Sequence, residues 1–180
     1  MEIREFDLQA ADTLVDVLVS ERWEFHSGPP VAEKDVRDRI ASGHFNGPGK
    51  KTFLIFDETE NSIGFFRLFD LGDGPLDSGT PLFDIRLRRA ERGKGIGKHV
   101  VSWLVNHVFT TYPNKNRIEA TTRHDNLAMR KVLSSCGFVK EAHYRQCWPT
   151  EENVKVDTVG YGILRSDWEG NTLTPVNWND

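Results

Sequence analysis

The sequence predicts an α/β (α+β) fold, a mixed β-sheet of about seven strands flanked by helices. Three observations predict it. Segments with apolar residues at every second position alternate with segments in which they recur at helical spacing. Clusters of Gly, Pro and Asn punctuate the boundaries. Helical segments stand between strands only in places, so the sheet is expected to be mixed. No internal repeat or long linker interrupts the 180 residues, which argues for one domain. That domain is expected over residues 1–169, with a loosely held polar tail at 170–180.

The elements follow in order. Residues 3–8 place Ile3, Phe6 and Leu8 between charges and read as a short edge strand. Residues 12–23 carry Leu14, Val17, Leu18 and Glu21 at helical spacing, and Pro29-Pro30 ends that helix. A second helix is expected over 31–42 with Val36 and Ile40 inward, stopped at Gly43, before a loop at 43–51. The β-branched and aromatic segments 52–56 and 62–71 form a hairpin around the turn 58–61. After a Gly- and Pro-rich loop at 72–81 comes a strand at 82–89. The helix 95–111 turns Ile96, Val100, Trp103, Leu104 and Val108 to one face and ends at Pro113-Asn114. A strand at 117–122 precedes a helix at 125–135, in which Met129, Val132, Leu133 and Cys136 share a face. Gly137 stands where a left-handed C-cap is wanted. Two long strands, 138–148 and 154–164, close the fold as a hairpin across 149–153.

Composition excludes several classes. Hydrophobic residues at 38% and charged residues at 28% exclude a disordered or low-complexity chain. The net charge, 23 basic against 27 acidic residues, is −4, whereas a dedicated nucleic-acid binder is basic. Cys136 and Cys147 cannot make a disulfide framework, and no His, Cys or Asp set has metal spacing, so no metal is expected. Residues 1–7 are acidic where a secretory signal is basic and then apolar. The apolar runs fall far short of the roughly 20 residues that span a bilayer. A cytoplasmic protein with no membrane partner is expected.

The chemistry concentrates in Leu87-Arg88-Arg89-Ala90-Glu91-Arg92-Gly93-Lys94-Gly95-Ile96-Gly97-Lys98. A strand ends, glycines alternate with other residues, and an amphipathic helix begins. Glycines let backbone approach a ligand closely. The helix start offers unpaired N–H groups and the positive end of its dipole, a place where phosphates bind. Arg92, Lys94 and Lys98 add positive charge. No Gly-Lys-Ser/Thr follows as in a P-loop, and the third glycine comes too soon for a dinucleotide fingerprint. The plain alternative is a basic, flexible loop without a ligand.

Arg92-Gly93-Lys94-Gly95-Ile96-Gly97 resembles the Arg/Gln-x-x-Gly-x-Gly/Ala signature of the GNAT superfamily of N-acetyltransferases, which cradles the pyrophosphate of acetyl-CoA. The block from Asn126 through Arg130 and Leu133 to Gly137-Phe138 resembles the family's Asn helix followed by Gly-Phe. The order of strands and helices is similar to the family's over all but the C-terminal tail. Ile118-Glu119-Ala120-Thr121, and a helix after Asn126 without Tyr, look most like the RimJ/RimL branch, which acetylates protein α-amines and, in relatives, small amines.

The resemblance implies a centrally splayed sheet and direct transfer of acetyl from acetyl-CoA to a primary amine, either a protein N-terminus or a small molecule. Backbone at Leu87, Arg88 and Arg89 would contact the pantetheine arm and the thioester oxygen, Gly93 to Lys98 the pyrophosphate, and Asn126 the pantetheine. Arg92 belongs to the same cofactor-binding set. A carboxylate must take the ammonium proton, directly or through water. Asp84 and Glu119 are the candidates; the plain alternative for each is a strand-face charge paired with Arg86 or Arg117. Leu133 stands where many relatives place a Tyr that protonates the leaving thiolate; Ser134, Ser135 or Tyr144 would have to substitute, or the thiolate leaves unaided. Homodimerisation through the last strands is open.

Other residues carry weaker readings. Trp23, Phe25 and His26 with Trp148 can wall an acceptor pocket or form plain core. His124 reads as a surface or capping residue and Cys136 as a small apolar one. Arg86, Arg88, Arg89 and Arg92 read as charge complementary to the cofactor, leaving a more acidic surface for a cationic amine. Two other classes stay open: a catalytically silent CoA-binding or sensing module, which the missing Tyr favours, and a nucleotide-binding α/β protein using the glycine loop for ATP.

Overall fold

The computed structural model describes residues 1–26, 31–72, 79–150 and 154–178, and the chain divides into two units, 1–94 and 95–180. In the first unit β1 (Glu2–Glu5), β2 (Lys51–Phe56), β3 (Ser62–Phe69) and β4 (Leu82–Leu87) pair in that order, each ladder antiparallel. Helices α1 (Ala11–Val19) and α2 (Glu33–Ala41) lie between β1 and β2 in sequence. In the second unit α3 (Ile96–Thr111), β5 (Arg117–Arg123), α4 (Leu127–Ser135), β6 (Val139–Pro149), β7 (Lys155–Leu164) and α5 (Arg165–Gly170) follow, with sheet order β5-β7-β6 and antiparallel ladders. The seven strands and their intervening helices are those expected. Hydrogen bonding groups the strands into sheets of four and three.

The first core forms where α1 and α2 meet the sheet. Leu14, Val17 and Val36 are fully buried, and Leu18, Trp23 and Phe45 nearly so. Central strand β3 buries Phe65, Phe66 and Leu68 on its two faces, with Phe66 stacked on Phe53 at 4.8 Å. Gly64 sits where the β4 backbone at Arg86 leaves no room for a Cβ, and pairs with Leu87. That close approach holds the end of β4, the strand that leads into the glycine loop.

Several boundaries differ from expectation, each for a local reason. The strand expected over 3–8 stops at Glu5, because the Asp7 carboxylate accepts from the N–H groups of Gln9 and Ala10 and starts a 3-10 turn at Leu8–Ala10. The helix expected over 12–23 ends at Val19. Ser20 Oγ donates to the Val17 carbonyl, and the Trp23 indole N–H donates 3.0 Å to the Leu18 carbonyl, satisfying last-turn acceptors. The strand expected over 82–89 ends at Leu87 in a second 3-10 turn, Arg89–Glu91. Helix α4 begins at Leu127, two residues later than expected, with Asn126 as its cap. Gly137 takes φ +87°, as the C-cap reading requires. Pro29-Pro30, much of the 72–81 loop and the turn at 151–153 lie outside the described residues.

In the second unit α3 buries Val100, Val101, Leu104, Val105, Val108 and Phe109. Trp103, expected inward, is only half-buried and stacks on His107 at 4.8 Å. The tail is better held than its polarity implied. Helix α5, which sequence periodicity missed, carries Asp167, only 4% exposed, and its carboxylate accepts from Thr174 N and Oγ1 and from Thr172 Oγ1. Arg165 fastens this corner. Its guanidinium donates to the carbonyls of Phe109, Tyr112 and Lys115 at 2.8–2.9 Å and lies 4.9 Å from the Phe109 ring centre. Positive charge among the last carbonyls of α3 also opposes the negative end of its dipole.

Truncating Arg165 to Ala leaves three acceptors without that donor, a cost of about 2–3 kcal/mol. Thermal unfolding of Arg165→Ala should shift down by roughly 5–10 °C. A shift under about 2 °C would show that water replaces the guanidinium without loss.

Candidate active site

The glycine loop is built to leave backbone accessible. Gly93 and Gly95 take φ of +77° and +84°, and a Cβ on either would meet nothing within 4 Å. Both conformations favour glycine, and the space beside them is open. Gly95 is the N-cap of α3, with no side-chain cap and no acidic residue in the first turn. The N–H groups of Ile96, Gly97 and Lys98 therefore have no partner from a preceding turn, at the positive end of a 16-residue helix. This donor set fits an anion such as a pyrophosphate.

The loop's basic side chains do something other than the free charge complementarity expected of them. Arg88 donates 2.8 Å to the Ser62 carbonyl and pairs with Asp16. The Arg89 guanidinium pairs with Glu24 at 2.7 Å, while its backbone N–H donates to Glu21. Arg92 donates 3.0 Å to the Leu87 carbonyl, pairs with Glu21 at 3.4 Å and lies 5.8 Å from the Trp23 ring. Lys94 pairs with Glu91. Arg88, Arg89 and Arg92 thus fasten the loop to α1 and the segment behind it, while Lys98 is exposed. Acidic residues at 16, 21 and 24 were the signal for this; their spacing matched no single element.

Asp84, on β4, has 19% of its side chain exposed and sits between His26 and Arg86. His26 Nε2 lies 2.7 Å from its Oδ1, and Arg86 donates to Oδ2 at 3.1 and 3.3 Å. Burial pushes the Asp84 carboxyl up, but the His26 hydrogen bond and the Arg86 charge outweigh it and hold the group well below the usual carboxylate range. The Arg86 pairing is the plain alternative that the sequence offered. The sequence offers His26 as a pocket wall or plain core; the structure pairs it with Asp84. Its Nδ1 is buried without a hydrogen-bond partner among the described residues, and its ring meets Trp23 edge-on at 6.4 Å.

Glu119, on β5, also meets its plain alternative. Arg117 donates 2.8 Å to it and forms a further pair with Glu141, across the strand face left clear by Gly162. Asn126 caps α4, its oxygen accepting from Met129 N and its amide donating to Thr122 Oγ1, both at 3.1 Å. Leu133 is fully buried. Ser135 Oγ donates back to Val132, and Tyr144 is 51% exposed on β6. His124 is exposed, with its carbonyl bound by Arg130. Cys136 is half-buried, 3.5 Å from Ser102 Oγ. Asp84 and His26 belong to the first unit and Glu119, Asn126 and Trp148 to the second. Among the described residues no His, Cys, Asp or Glu cluster suits a metal, and no helix is long and apolar enough to cross a membrane.

Comparison with known proteins identifies the family and the fold. Residues 1–139 match the model of the acetyltransferase (GNAT) domain. An uncharacterized N-acetyltransferase, p20, of Bacillus licheniformis is 27% identical over 177 residues, covering 94% of this chain and 96% of that protein. The structure of spermidine N-acetyltransferase from Vibrio cholerae in complex with CoA and spermine aligns with a TM-score of 0.79 at 16% identity, covering 93% of this chain and 97% of that one. A chimera of the same Vibrio enzyme aligns at 0.78 with 18% identity, over 93% and 97% of the two chains. The family match spans more than half of the sequence and includes the whole glycine loop. This chain is a member of the GNAT acetyltransferase family.

Proposed function

We propose that this chain is a cytoplasmic enzyme, one domain over residues 1–169, that transfers the acetyl group of acetyl-CoA directly to a primary amine. The acceptor is a small molecule or a protein N-terminus. The observation that carries the reading is the glycine turn at Gly93 and Gly95, opening on the uncapped start of α3. Gly93 to Lys98 bind the pyrophosphate through backbone, with Arg92 bracing the loop. Leu87, Arg88 and Arg89 offer backbone to the pantetheine arm. Asn126, given the pantetheine by the resemblance, uses one hydrogen and one lone pair of its amide among the described residues. Acetyl-CoA supplies the acetyl group as a thioester, with the CoA thiol as leaving group. The neighbour solved with CoA and spermine supports an amine as acceptor.

The acceptor ammonium must lose a proton before its nitrogen can bond to the acetyl carbon as the carbon–sulfur bond breaks. Asp84 is ionised but holds a proton weakly, which makes it a poor base alone. We assign it to positioning. With Oδ1 accepting from His26 Nε2–H, Nδ1 is the ring nitrogen left for the base role; it is buried in this structure, so the role requires the acceptor to displace the side chains that cover it. Glu119 remains the second candidate, with 41% of its side chain exposed but tied to Arg117. Leu133 supplies no acid, so the thiolate leaves unaided and takes its proton from solvent.

Three outcomes test this reading. Gly95→Trp should weaken acetyl-CoA binding at least about tenfold, roughly 1.4 kcal/mol, in calorimetry on a folded variant; unchanged affinity places the phosphates elsewhere. Thermal stabilisation by ATP but not by acetyl-CoA would instead favour the nucleotide-binding class.

His26→Gln should lower kcat for thiol release by about 10²-fold or more with little change in acetyl-CoA KM. Asp84→Asn should lower it as well and alter the pH–rate profile. A full-rate His26→Gln enzyme returns the base to Glu119.

Asp84 also marks stability. Its folded pKa is depressed, so its contribution is complete above the unfolded value near 4 and is lost as pH falls through the folded value. Urea midpoints should fall on acidification below about pH 4 in the wild type. The fall should be smaller in Asp84→Asn; parallel profiles would contradict the depressed value.

A further inference from the structure

Asp84 also lines a small cavity inside the first unit, of about 30 Å³, together with Arg39, His44, Arg67, Arg86 and apolar side chains that include Phe45 and Phe65. We infer that this cavity holds a carboxylate of the acceptor, so that the acceptor is an amino-acid-like molecule carrying an amine and a carboxylate a few ångströms apart. The inference rests on the reading that Asp84 and His26 face the acceptor amine.

Charge carries it. Arg86 is occupied by Asp84, which is shared with His26. Neither the Arg39 nor the Arg67 guanidinium has a carboxylate within ion-pairing distance among the described residues. Arg67 Nε is buried with no acceptor among the described residues. One Arg67 terminal nitrogen meets His44 Nε2, so His44 serves as a neutral acceptor with its own proton on Nδ1. Burial lowers the Arg67 pKa; Asp84 works against that, and the nearby charges of Arg86 and Arg39 add to it. Burial and the charges of Arg67, Arg39 and Lys50 likewise hold His44 below its usual value. The site thus has cationic donors in excess and one of them unsatisfied, which is costly unless an anion or water enters.

Size narrows the anion. A water-sized atom needs about 10–15 Å³ of such space, so the cavity takes two oxygens, as in a carboxylate, and is small for the four of a phosphate. A planar carboxylate also suits guanidinium donors in fork geometry. The amine of the same molecule would lie on the Asp84 side of the cavity. A polyamine would instead bring further positive charge beside Arg39, Arg67 and Arg86, an arrangement that raises the cost for every group present.

The test compares the standard amino acids with their primary amides, and with spermidine as polycation, in thiol release under saturating acetyl-CoA. The favoured amino acid should exceed its amide at least about tenfold in kcat/KM, mainly through KM, a difference of roughly 1.4 kcal/mol. Arg67→Met should erase that preference. Arg39→Gln, at an exposed position and harmless to folding, should reduce it several-fold. Equal rates for acid and amide, preference for spermidine, or a preference untouched in both variants would overturn the inference and leave a water-filled cavity only. Binding is read separately by thermal shift with CoA present. Stabilisation by an amino acid that is lost in both variants supports the carboxylate site even if no amine is acetylated, an outcome that would overturn the proposed reaction instead. Absence of any shift together with equal rates counts against the site alone.

Discussion

A single carboxylate among basic side chains organises one corner of the first unit. Asp84 and Arg86 stand two residues apart on β4 and so share a face, and His26 reaches the same carboxylate from beyond α1. Without Asp84, Arg86 and Arg67 would sit near His44 and His26 in a poorly solvated region with nothing to offset them. Removing one partner from such a group costs more than the pair contributes, because an uncompensated charge stays behind. The carboxylate therefore orients an imidazole and neutralises the strand at once. Its low proton affinity is a consequence of that second task.

The same separation of tasks appears in the glycine loop. Arg92 opens the family signature, yet its side chain and those of Arg88 and Arg89 reach back to Glu21, Asp16 and Glu24. Ion pairs at exposed sites such as Arg89–Glu24 contribute little to stability singly. Their effect here is geometric: they limit where residues 88–92 can go before the backbone turns at Gly93. A loop ordered in advance loses less freedom when a phosphate arrives.

Much of this was legible in the sequence. Periodicity located all seven strands and four of the five helices, since each buries a face with a regular repeat. The glycine spacing and the Asn126 block carried the family. What escaped were contacts between residues far apart in sequence. Nothing near Trp23 announces that its indole finishes α1 at Leu18, and nothing near Arg165 announces three carbonyls at 109, 112 and 115. Helix α5 has six residues, too few for a periodic signal. His26 was visible as an aromatic neighbour of Trp23, but its pairing with Asp84 spans 58 positions. Nor does the sequence show that Arg88, Arg89 and Arg92 of the basic loop are already paired with carboxylates. Net charge counts residues, whereas the field in a cavity depends on which of them are already paired.

Helix α3 is clamped at its tail by Arg165 and left bare at its head by Gly95. Its two ends are thus held in different ways. The hydrogen bonds that secure its tail lie at 109–115, away from the turn at 93–98, so substitutions in that turn leave them intact, and changes around Arg165 can be screened for folding alone. A helix arranged in this way is mutationally separable: its head can be altered without first re-securing its scaffold.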